Sequence, residues 1–539
     1  MSCSKELQQS NIMTCCHVVV IFFLMISRSL ASPNILLFVA DDMGYGDLSI
    51  YGHPTQEMGP IDQLALQGLK FTSWYAAHTF CSPSRAAMLT GRLPVRYNFV
   101  GGYTVLIHKH YLGLPLEEYT IAEALRDQGY ATGIVGKWHL GVNAHTDTDG
   151  SFLPHNQGFS HPATILPYTL FYDCDTTGVH RHQQNRNRCM IYRNSTIVQQ
   201  PIKQGKLTAT LVEDAKAFLY DHKDEPFFFL FSFPQVHTPM FNDVRFNKSS
   251  KRGEYGDQIN EMSWAVGEVM ATLSTLALDE KTLVIFLSDH GPHREICKEG
   301  GSSGIFKGGK GNFYEGGVRV PAIMRWTGVI PPGRVSSQVV SSMDLLPSLV
   351  SLVGGQLPNV HLDGENMLDK IFGKLELTDV NSGHFHKKDH DALKRDRALF
   401  FYCDNHLMAI RYKSFKVHFR THPLASEEFI LKNCPVAGVP IDTELHVEHY
   451  CNKTIQQEVP LLFNVEEDPG EMFALDWEDY QDISNEIQDI LRKHQETLPE
   501  DLDGHGITSF DNTDMFVLPC CNKPYCICDF TSEPPCPAS

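Results

Sequence analysis

From residue 33 onward, short apolar runs alternate with amphipathic segments, and this alternation constrains the fold more than any other feature of the chain. Asn34 to Ala40 is a seven-residue apolar run, the length of a buried strand rather than a helix. Ile61 to Leu69 reads as a helix, and Thr120 to Gln128 as another, with Thr120 as N-cap and Glu123 closing a capping box. Ala131 to Val135 reads as a strand. The helix Thr208 to His222 leads into a strand over Pro226 to Phe233, and the helix Asp257 to Leu276 precedes a strand over Thr282 to Leu287. Strands alternating with helices predict an α/β fold, with a mostly parallel central sheet flanked by helices on both faces.

The remainder divides differently. His155 to Gln204 is polar, has no hydrophobic hairpin and reads as loop-rich, and Cys174 and Cys189 there can pair as a disulfide. Lys387 to Arg397 is a charge-rich linker. Beyond it Ala398 to Cys403, Met408 to Arg411, Phe415 to Phe419 and Leu461 to Val465 predict an antiparallel sheet, and Tyr480 to His494 a closing helix. A chain of 539 residues accommodates a large domain and this smaller α+β one.

In open parallel sheets ligands bind beyond the carboxyl ends of the strands. The chemically loaded residues fall at those ends. Asp41 and Asp42 follow the first strand, Lys137 and His139 the strand ending at Val135, His237 the strand ending at Phe233, and Asp289 and His290 the strand ending at Leu287. Each alone would be an ordinary polar loop. Four ends bearing acid, base and cation point to a site.

Net charge is −19, which argues against nucleic acid as a partner. An anionic substrate would have to be drawn in by local cations. At the N-terminus Lys5, the apolar run Val18 to Ile26 and the small residues of Ser29-Leu30-Ala31 read as a signal peptide over residues 1–32, with Met13 an alternative start. The run is short for a membrane span and no later stretch of that kind follows, so no transmembrane span is expected in the mature chain. The expected route is secretory, ending in a lysosome, the ER lumen or outside the cell. Sequons at Asn194, Asn247 and Asn452 agree. So does the cysteine usage: Cys520, Cys521, Cys526, Cys528 and Cys536 suggest a disulfide-stapled tail, with a zinc knuckle as the rival. Of the 15 cysteines, Cys3, Cys15 and Cys16 precede the cleavage point; setting Cys81 aside as well leaves an odd number.

The string Cys81-Ser82-Pro83-Ser84-Arg85, followed by Leu89-Thr90-Gly91-Arg92, places a cysteine at a helix N-terminus, where amide dipoles favour negative charge and Arg85 lies one turn on. A lone cysteine of this kind is by default buried or disulfide-bonded. The full string resembles the signature of the sulfatase family. That resemblance implies that a formylglycine-generating enzyme oxidises Cys81 to Cα-formylglycine, whose hydrate is the nucleophile. One hydroxyl attacks sulfur; the other loses its proton, so that the aldehyde reforms and sulfate leaves.

Other segments carry the resemblance further. Gly136-Lys137-Trp138-His139-Leu140-Gly141 is similar to the family's second signature; Lys137 would bind a sulfate oxygen and His139 would take the hydrate's proton. Asp41-Asp42-Met43-Gly44-Tyr45-Gly46-Asp47 resembles the first metal motif, which implies Asp41, Asp42, Cys81, Asp289 and His290 as ligands of one divalent cation, calcium by family habit. The family commonly has an amide after the aspartate; His290 offers nitrogen instead, and could hydrogen-bond the substrate rather than the ion. His237-Thr238-Pro239 resembles the segment whose histidine protonates the leaving oxygen. Lys310, within Phe306 to Pro321, resembles the second sulfate-binding lysine, with Lys307 its local competitor, and Arg85 would hold the hydrate and the carboxylates.

The resemblance covers nearly the whole mature chain and is strongest to the arylsulfatase and steryl-sulfatase group, without the membrane hairpin of the latter. It implies an alkaline-phosphatase-like fold, a catalytic domain over residues 33–395, a smaller domain over 396–505 and a Cys-rich tail over 506–539. The implied activity is hydrolysis of a small-molecule or glycan sulfate ester. A phosphatase of the same fold would place Ser or Thr at position 81. A non-enzymatic extracellular glycoprotein that binds sulfated polysaccharide would have no need of Cys81, Arg85, Lys137, His139, His237 and Lys310 together.

Overall fold

The computed structural model describes residues 32–101, 105–170, 174, 188–372, 396–422, 451–500 and 506–530. The signal peptide, Cys536 and most of the charge-rich linker lie outside them.

The strands in chain order are β1 (Asn34–Ala40), β2 (Leu69–Tyr75), β3 (Ala131–Lys137), β4 (His161–Leu166), β5 (Ile191–Arg193), β6 (Thr196–Gln200), β7 (Phe227–Ser232), β8 (Thr282–Ser288), β9 (Arg319–Arg325), β10 (Arg334–Ser336), β11 (Val340–Ser341), β12 (Ala398–Cys403), β13 (His406–Tyr412), β14 (Phe415–Thr421), β15 (Ile455–Asn464) and β16 (Cys528–Asp529). The large sheet has 12 strands in the order β10-β2-β9-β8-β1-β7-β3-β4-β5-β6-β16, with β11 beside β2. Its centre, β8-β1-β7-β3-β4, is parallel throughout. Its flanks turn antiparallel at β9 and at β5, β6 and β16.

The unbroken apolar run of β1 reflects burial on both sides. Ile35, Leu37 and Val39 enter one core, with Ala86, Met88 and Leu89 of the helix Cys81–Thr90 and Leu345, Leu346 and Leu349 of the helix Leu345–Leu352. Leu36, Phe38 and Ala40 enter the other, against the helices Pro60–Leu66, Leu207–Asp221 and Glu254–Thr275. Period-two alternation thus divides one strand between two layers of helices. The expected helix start at Thr120 is realised: Thr120 Oγ1 accepts from Glu123 N and the Glu123 carboxylate accepts from Thr120 N.

Two expectations need correction. The helix expected over Ile61 to Leu69 ends at Leu66, and Leu69 opens β2. A Cβ at Gly68 would lie 2.3 Å from Met324 O, so the chain turns there against β9 through a glycine. The segment His155 to Gln204 holds three strands, β4 to β6. Its hairpin β5–β6 turns at Asn194, φ 51°, in the left-handed region that asparagine tolerates and tight hairpins need.

The second sheet, β12-β13-β14-β15, is antiparallel as expected. The helix Gln481–Gln495 closes it, packing Ile483, Ile487, Ile490 and Leu491 on Ile410, Val417 and Leu462; the spacing is that of one helical face. Disulfides join Cys174–Cys189, Cys403–Cys451, Cys520–Cys526 and Cys521–Cys528. Four of the tail cysteines are therefore paired with one another, as disulfides rather than as a zinc knuckle. No helix among the described residues is long and apolar enough to cross a membrane.

Candidate active site

Four adjacent parallel strands, β8, β1, β7 and β3, end side by side. Strand spacing is about 4.8 Å, so residues following these ends can meet over one small area. Lys137 is the last residue of β3, where Gly136 allows the approach: a Cβ there would lie 1.8 Å from Ser232 O of β7. Asp42 and His139 each adopt φ 61° just past their strands. For residues with a Cβ this is an uncommon conformation, of the kind that clusters at functional sites.

The helix Cys81–Thr90 points its N-terminus at the same place, with Phe80 as N-cap and Gly91 closing the far end in the left-handed region. Cys81 is buried, and among the described residues it is the cysteine left as a free thiol. Its Sγ lies 3.3 Å from His290 Nε2 and 3.6 Å from Asp41 Oδ1. Arg85 bridges helix and sheet: Nε and Nη2 reach Asp289 Oδ2 at 2.9 Å, Nη2 stands 3.6 Å from Asp41 Oδ1, and Nη1 donates to Ser232 Oγ at 2.5 Å.

The aspartates are gripped by lysines. Lys137 Nζ donates to both oxygens of Asp41 at 2.7 and 2.6 Å, and Lys310 Nζ to both oxygens of Asp42 at 2.8 Å. His290 Nε2 lies 3.3 Å from Asp42 Oδ1 and 3.7 Å from Asp289 Oδ1, while Nδ1 faces Gly291 O at 2.9 Å. A carbonyl only accepts, so Nδ1 carries a proton, and Nε2 is the nitrogen turned to the thiol and the carboxylates. His237 Nε2 stands 3.8 Å from Asp42 Oδ2, and its Nδ1 faces Thr238 O. His139 is fully buried. Its Nε2 lies 2.8 Å from Leu106 O, and its Nδ1 has no hydrogen-bond partner among the described residues.

Of the ten residues expected at the site, Asp41, Asp42, Cys81, Arg85, Lys137, His237, Asp289, His290 and Lys310 meet through these contacts, and His139 lies beside them with Lys137, Asp41 and Arg85 as its charged neighbours. Lys307 does not join them; its Nζ turns away to Glu471 O. Burial alone would raise the Asp41 carboxyl, but Lys137, His237, Arg85 and Lys310 hold it well below the ordinary range. Asp42 is lowered in the same way, against burial, chiefly by Lys310 and His237. Burial, with Lys310 beside it, lowers His237 to about 4. Burial opposes protonation of His290, yet Asp289, Cys81 and Asp42 push it up to about 9.

Thr169 was not expected here. Its Oγ1 donates to Asp41 Oδ2 at 3.3 Å. It follows β4, the fifth parallel strand, and a strand recognised at His161–Leu166 would have pointed to it.

A divalent cation fits the donor set. Ligand atoms of Asp41, Cys81, Asp289 and His290 all lie within 4.8 Å of one another.

A free cysteine at a helix N-terminus, set among buried lysines and carboxylates at parallel strand ends, is an arrangement suited to an anionic ester. The sulfatase profile matches residues 33–355, and that of the C-terminal region of aryl-sulfatase matches 394–528. The chain is 39% identical to the arylsulfatase of Hemicentrotus pulcherrimus over 94% of its length and 88% of that protein's. It is 38% identical to arylsulfatase A of Homo sapiens, over 82% and 83%. Among solved structures, the PsFucS1 sulfatase from Pseudoalteromonas sp. has the same alkaline-phosphatase-like fold, with TM-score 0.69, 24% identity and coverage of 89% and 93%. The chain belongs to the sulfatase family and is a sulfuric ester hydrolase of the arylsulfatase type.

Proposed function

We propose that Cys81, oxidised to Cα-formylglycine, is the nucleophile of sulfate-ester hydrolysis, and that one divalent cation, calcium by the oxygen-rich donor set, assists it. The observation that carries this reading is that Lys137, Lys310 and Arg85 each grip one of the three aspartates, Asp41, Asp42 and Asp289, gathered around the free thiol at the helix N-terminus. The oxidised residue supplies, as its hydrate, one hydroxyl to attack sulfur and a second whose deprotonation expels sulfate. Asp41, Asp42, Asp289 and His290 would hold the cation, which polarises the sulfate and favours ionised hydroxyl.

The remaining steps belong to the chain's own side chains. Lys137 and Lys310 would leave Asp41 and Asp42 to the cation and turn their ammonium groups to two sulfate oxygens, where charge develops during attack. Arg85 fixes Asp289 and holds residue 81 in line. His237 presents Nε2 to the leaving oxygen and would give it a proton as the imidazolium, a form that the negative charge of the bound sulfate favours by offsetting Lys310 and Lys137. His139 would receive, at its unpartnered Nδ1, the proton of the second hydroxyl; that O–H pair becomes the C=O bond, and the C–O pair leaves with sulfate.

The domain division at 33–395, 396–505 and 506–539, action of a formylglycine-generating enzyme during synthesis, and a secretory-pathway location complete the proposal. The disulfides joining Cys174–Cys189, Cys403–Cys451, Cys520–Cys526 and Cys521–Cys528 support that location. The test is mass spectrometry of the residue-81 peptide from a eukaryotic secretory host. An aldehyde trapped there by a hydrazine is expected, with activity lost on chelation and restored by calcium. A plain thiol, in a host that converts a known sulfatase, would remove the nucleophile.

A further inference from the structure

Residues 105–111, and 98–101 before them, are held from two sides. The first is the active site. Leu106 N donates to Ser82 Oγ at 3.0 Å, beside Cys81, and Leu106 O lies 2.8 Å from His139 Nε2. The carbonyl can only accept, so it requires the proton on Nε2 and leaves a lone pair on Nδ1. The opposite tautomer would set two acceptors against each other and turn Nδ1 from acceptor to donor.

The second support is the C-terminal segment 506–517. Ile507 N donates to Asn98 O and Thr508 N to Val100 O, both at 3.0 Å; Tyr111 N donates to Asn512 O at 3.2 Å and Asp514 N to Lys109 O at 2.8 Å. His110 and Thr513 form an isolated antiparallel bridge, and Tyr111 Oη donates to Asn512 Oδ1 at 3.0 Å. The segment is itself anchored. Gln200 Nε2 donates to Pro519 O at 3.2 Å, Cys521 N donates to Gln200 Oε1 at 3.0 Å, and β16, whose Cys528 is disulfide-bonded to Cys521, pairs with β6. Within residues 105–111 the chain makes only one local turn, in which His110 N donates to Ile107 O and Ile107 N to His110 Nδ1. Its position is therefore set from outside, by Ser82 and by the tail.

We infer that Leu106 is a positioning residue whose carbonyl fixes the tautomer of His139, and that the C-terminal segment 506–517 is the brace that holds this carbonyl in place. The inference rests on the reading of His139 as the proton acceptor in sulfate release. A loosened brace slows release and leaves sulfate binding and attack intact.

Gly506→Ala tests it, because a Cβ at Gly506 would lie 2.2 Å from Val100 O and wedge the tail off the loop. In the full-length, hydrazine-reactive enzyme, faster backbone hydrogen exchange is expected in the 105–111 peptide and unchanged exchange in β1. With an aryl sulfate, kcat should fall about tenfold and KM with it, leaving kcat/KM unchanged, and turnover should be preceded by a burst of one equivalent of phenol. In 15N-histidine spectra of the unoxidised Cys81 form, the His139 Nδ1 signal, assigned by its loss in His139→Gln, should fall in the unprotonated range. A protonated Nδ1, or full kcat with a loosened loop, or a slower kcat without a burst, overturns the inference. If Gly506→Ala loosens the whole chain, Tyr111→Phe carries the same readouts with smaller amplitude. Unimpaired release in His139→Gln would instead overturn the assignment of His139, whatever the tail does.

Discussion

The protein buries two clusters of charge, and they differ in what they leave unfinished. At the strand ends, Asp41, Asp42 and Asp289 face Lys137, Lys310 and Arg85 around the Cys81 thiol, with His139 Nδ1 unpartnered. Between the two sheets, Glu315 binds Tyr75 Oη at 2.7 Å, Arg319 at 3.0 Å and Lys416 at 2.9 Å. Glu471 there takes His418 Nε2 and Glu315 N, each at 2.6 Å. Lys416, Glu315 and Glu471 are as completely buried as Asp41. In the second cluster every carboxylate oxygen is satisfied by the protein and nothing reactive is offered. Its ion pairs join β14 to the segment leading into β9. Buried charge alone does not mark a catalytic site; convergence on a nucleophile, with an acceptor held open, does.

The sharpest break between the clusters is Cys81→Ala. Turnover should fall on the order of 10⁴-fold or more, with the melting temperature nearly unchanged, since the thiol makes no strong contact. Activity retained in this variant, read with an aryl sulfate, would remove the first cluster's claim.

A matched pair of lysine variants comes next. Lys416→Met leaves Glu315 without its nearest cation and should cost about 3–5 kcal/mol of stability, read by denaturant unfolding, with kcat/KM per folded molecule within about twofold. Lys310→Met should do the reverse: kcat/KM down about 10²–10³-fold, with a smaller loss of stability because the crowded site trades stability for function. If Lys416→Met lowers kcat/KM and spares stability, the division between the clusters fails.

What could be read from the sequence follows the same line. The apolar runs of β1, β3, β7 and β8 announce themselves, and so do the residues just past them. Which lysine grips which aspartate depends on the sheet order β8-β1-β7-β3, which no local pattern encodes. β2 was hidden because a helical pattern ran into Leu69 without a break, and β5 and β6 because each is short and mixes polar residues with apolar ones. The carbonyl of Leu106 has no sequence signal at all: a backbone atom in irregular chain is specified only by what packs on both sides of it.

Glu261 is a buried carboxylate outside both clusters and a smaller test. It has no cation bonded to it: Oε2 accepts from Asp243 N at 3.1 Å, and Thr208 is its side-chain hydrogen-bond partner. Burial therefore raises it from the ordinary 4.5 to about 7, Thr208 and Asp243 N only partly offsetting the rise. The sign follows. The folded state holds this proton more tightly than the unfolded chain, so its contribution is full below about 4.5 and is lost as pH rises to about 7. The loss is about 3 kcal/mol. The melting temperature of the wild type should fall across that window more steeply than that of Glu261→Gln. Asp404, raised by burial to about 6, adds a slope of the same sign to both proteins and cancels in the difference. A wild-type curve that rises with pH relative to the variant would mean a cation reaches Glu261.

The smallest effect is expected at Thr169. Its hydroxyl donates to Asp41 Oδ2, an oxygen that Lys137 already holds at 2.6 Å, so the hydrogen bond is one of two on the same atom. Thr169→Val keeps the shape and removes about 1 kcal/mol of hydrogen bonding, which corresponds to roughly a fivefold loss in kcat/KM and little change in melting temperature. A larger loss confined to KM would place the hydroxyl on the substrate rather than on Asp41. A loss of stability with kcat/KM preserved would move Thr169 to the satisfied, structural kind of cluster that Glu315 and Lys416 represent.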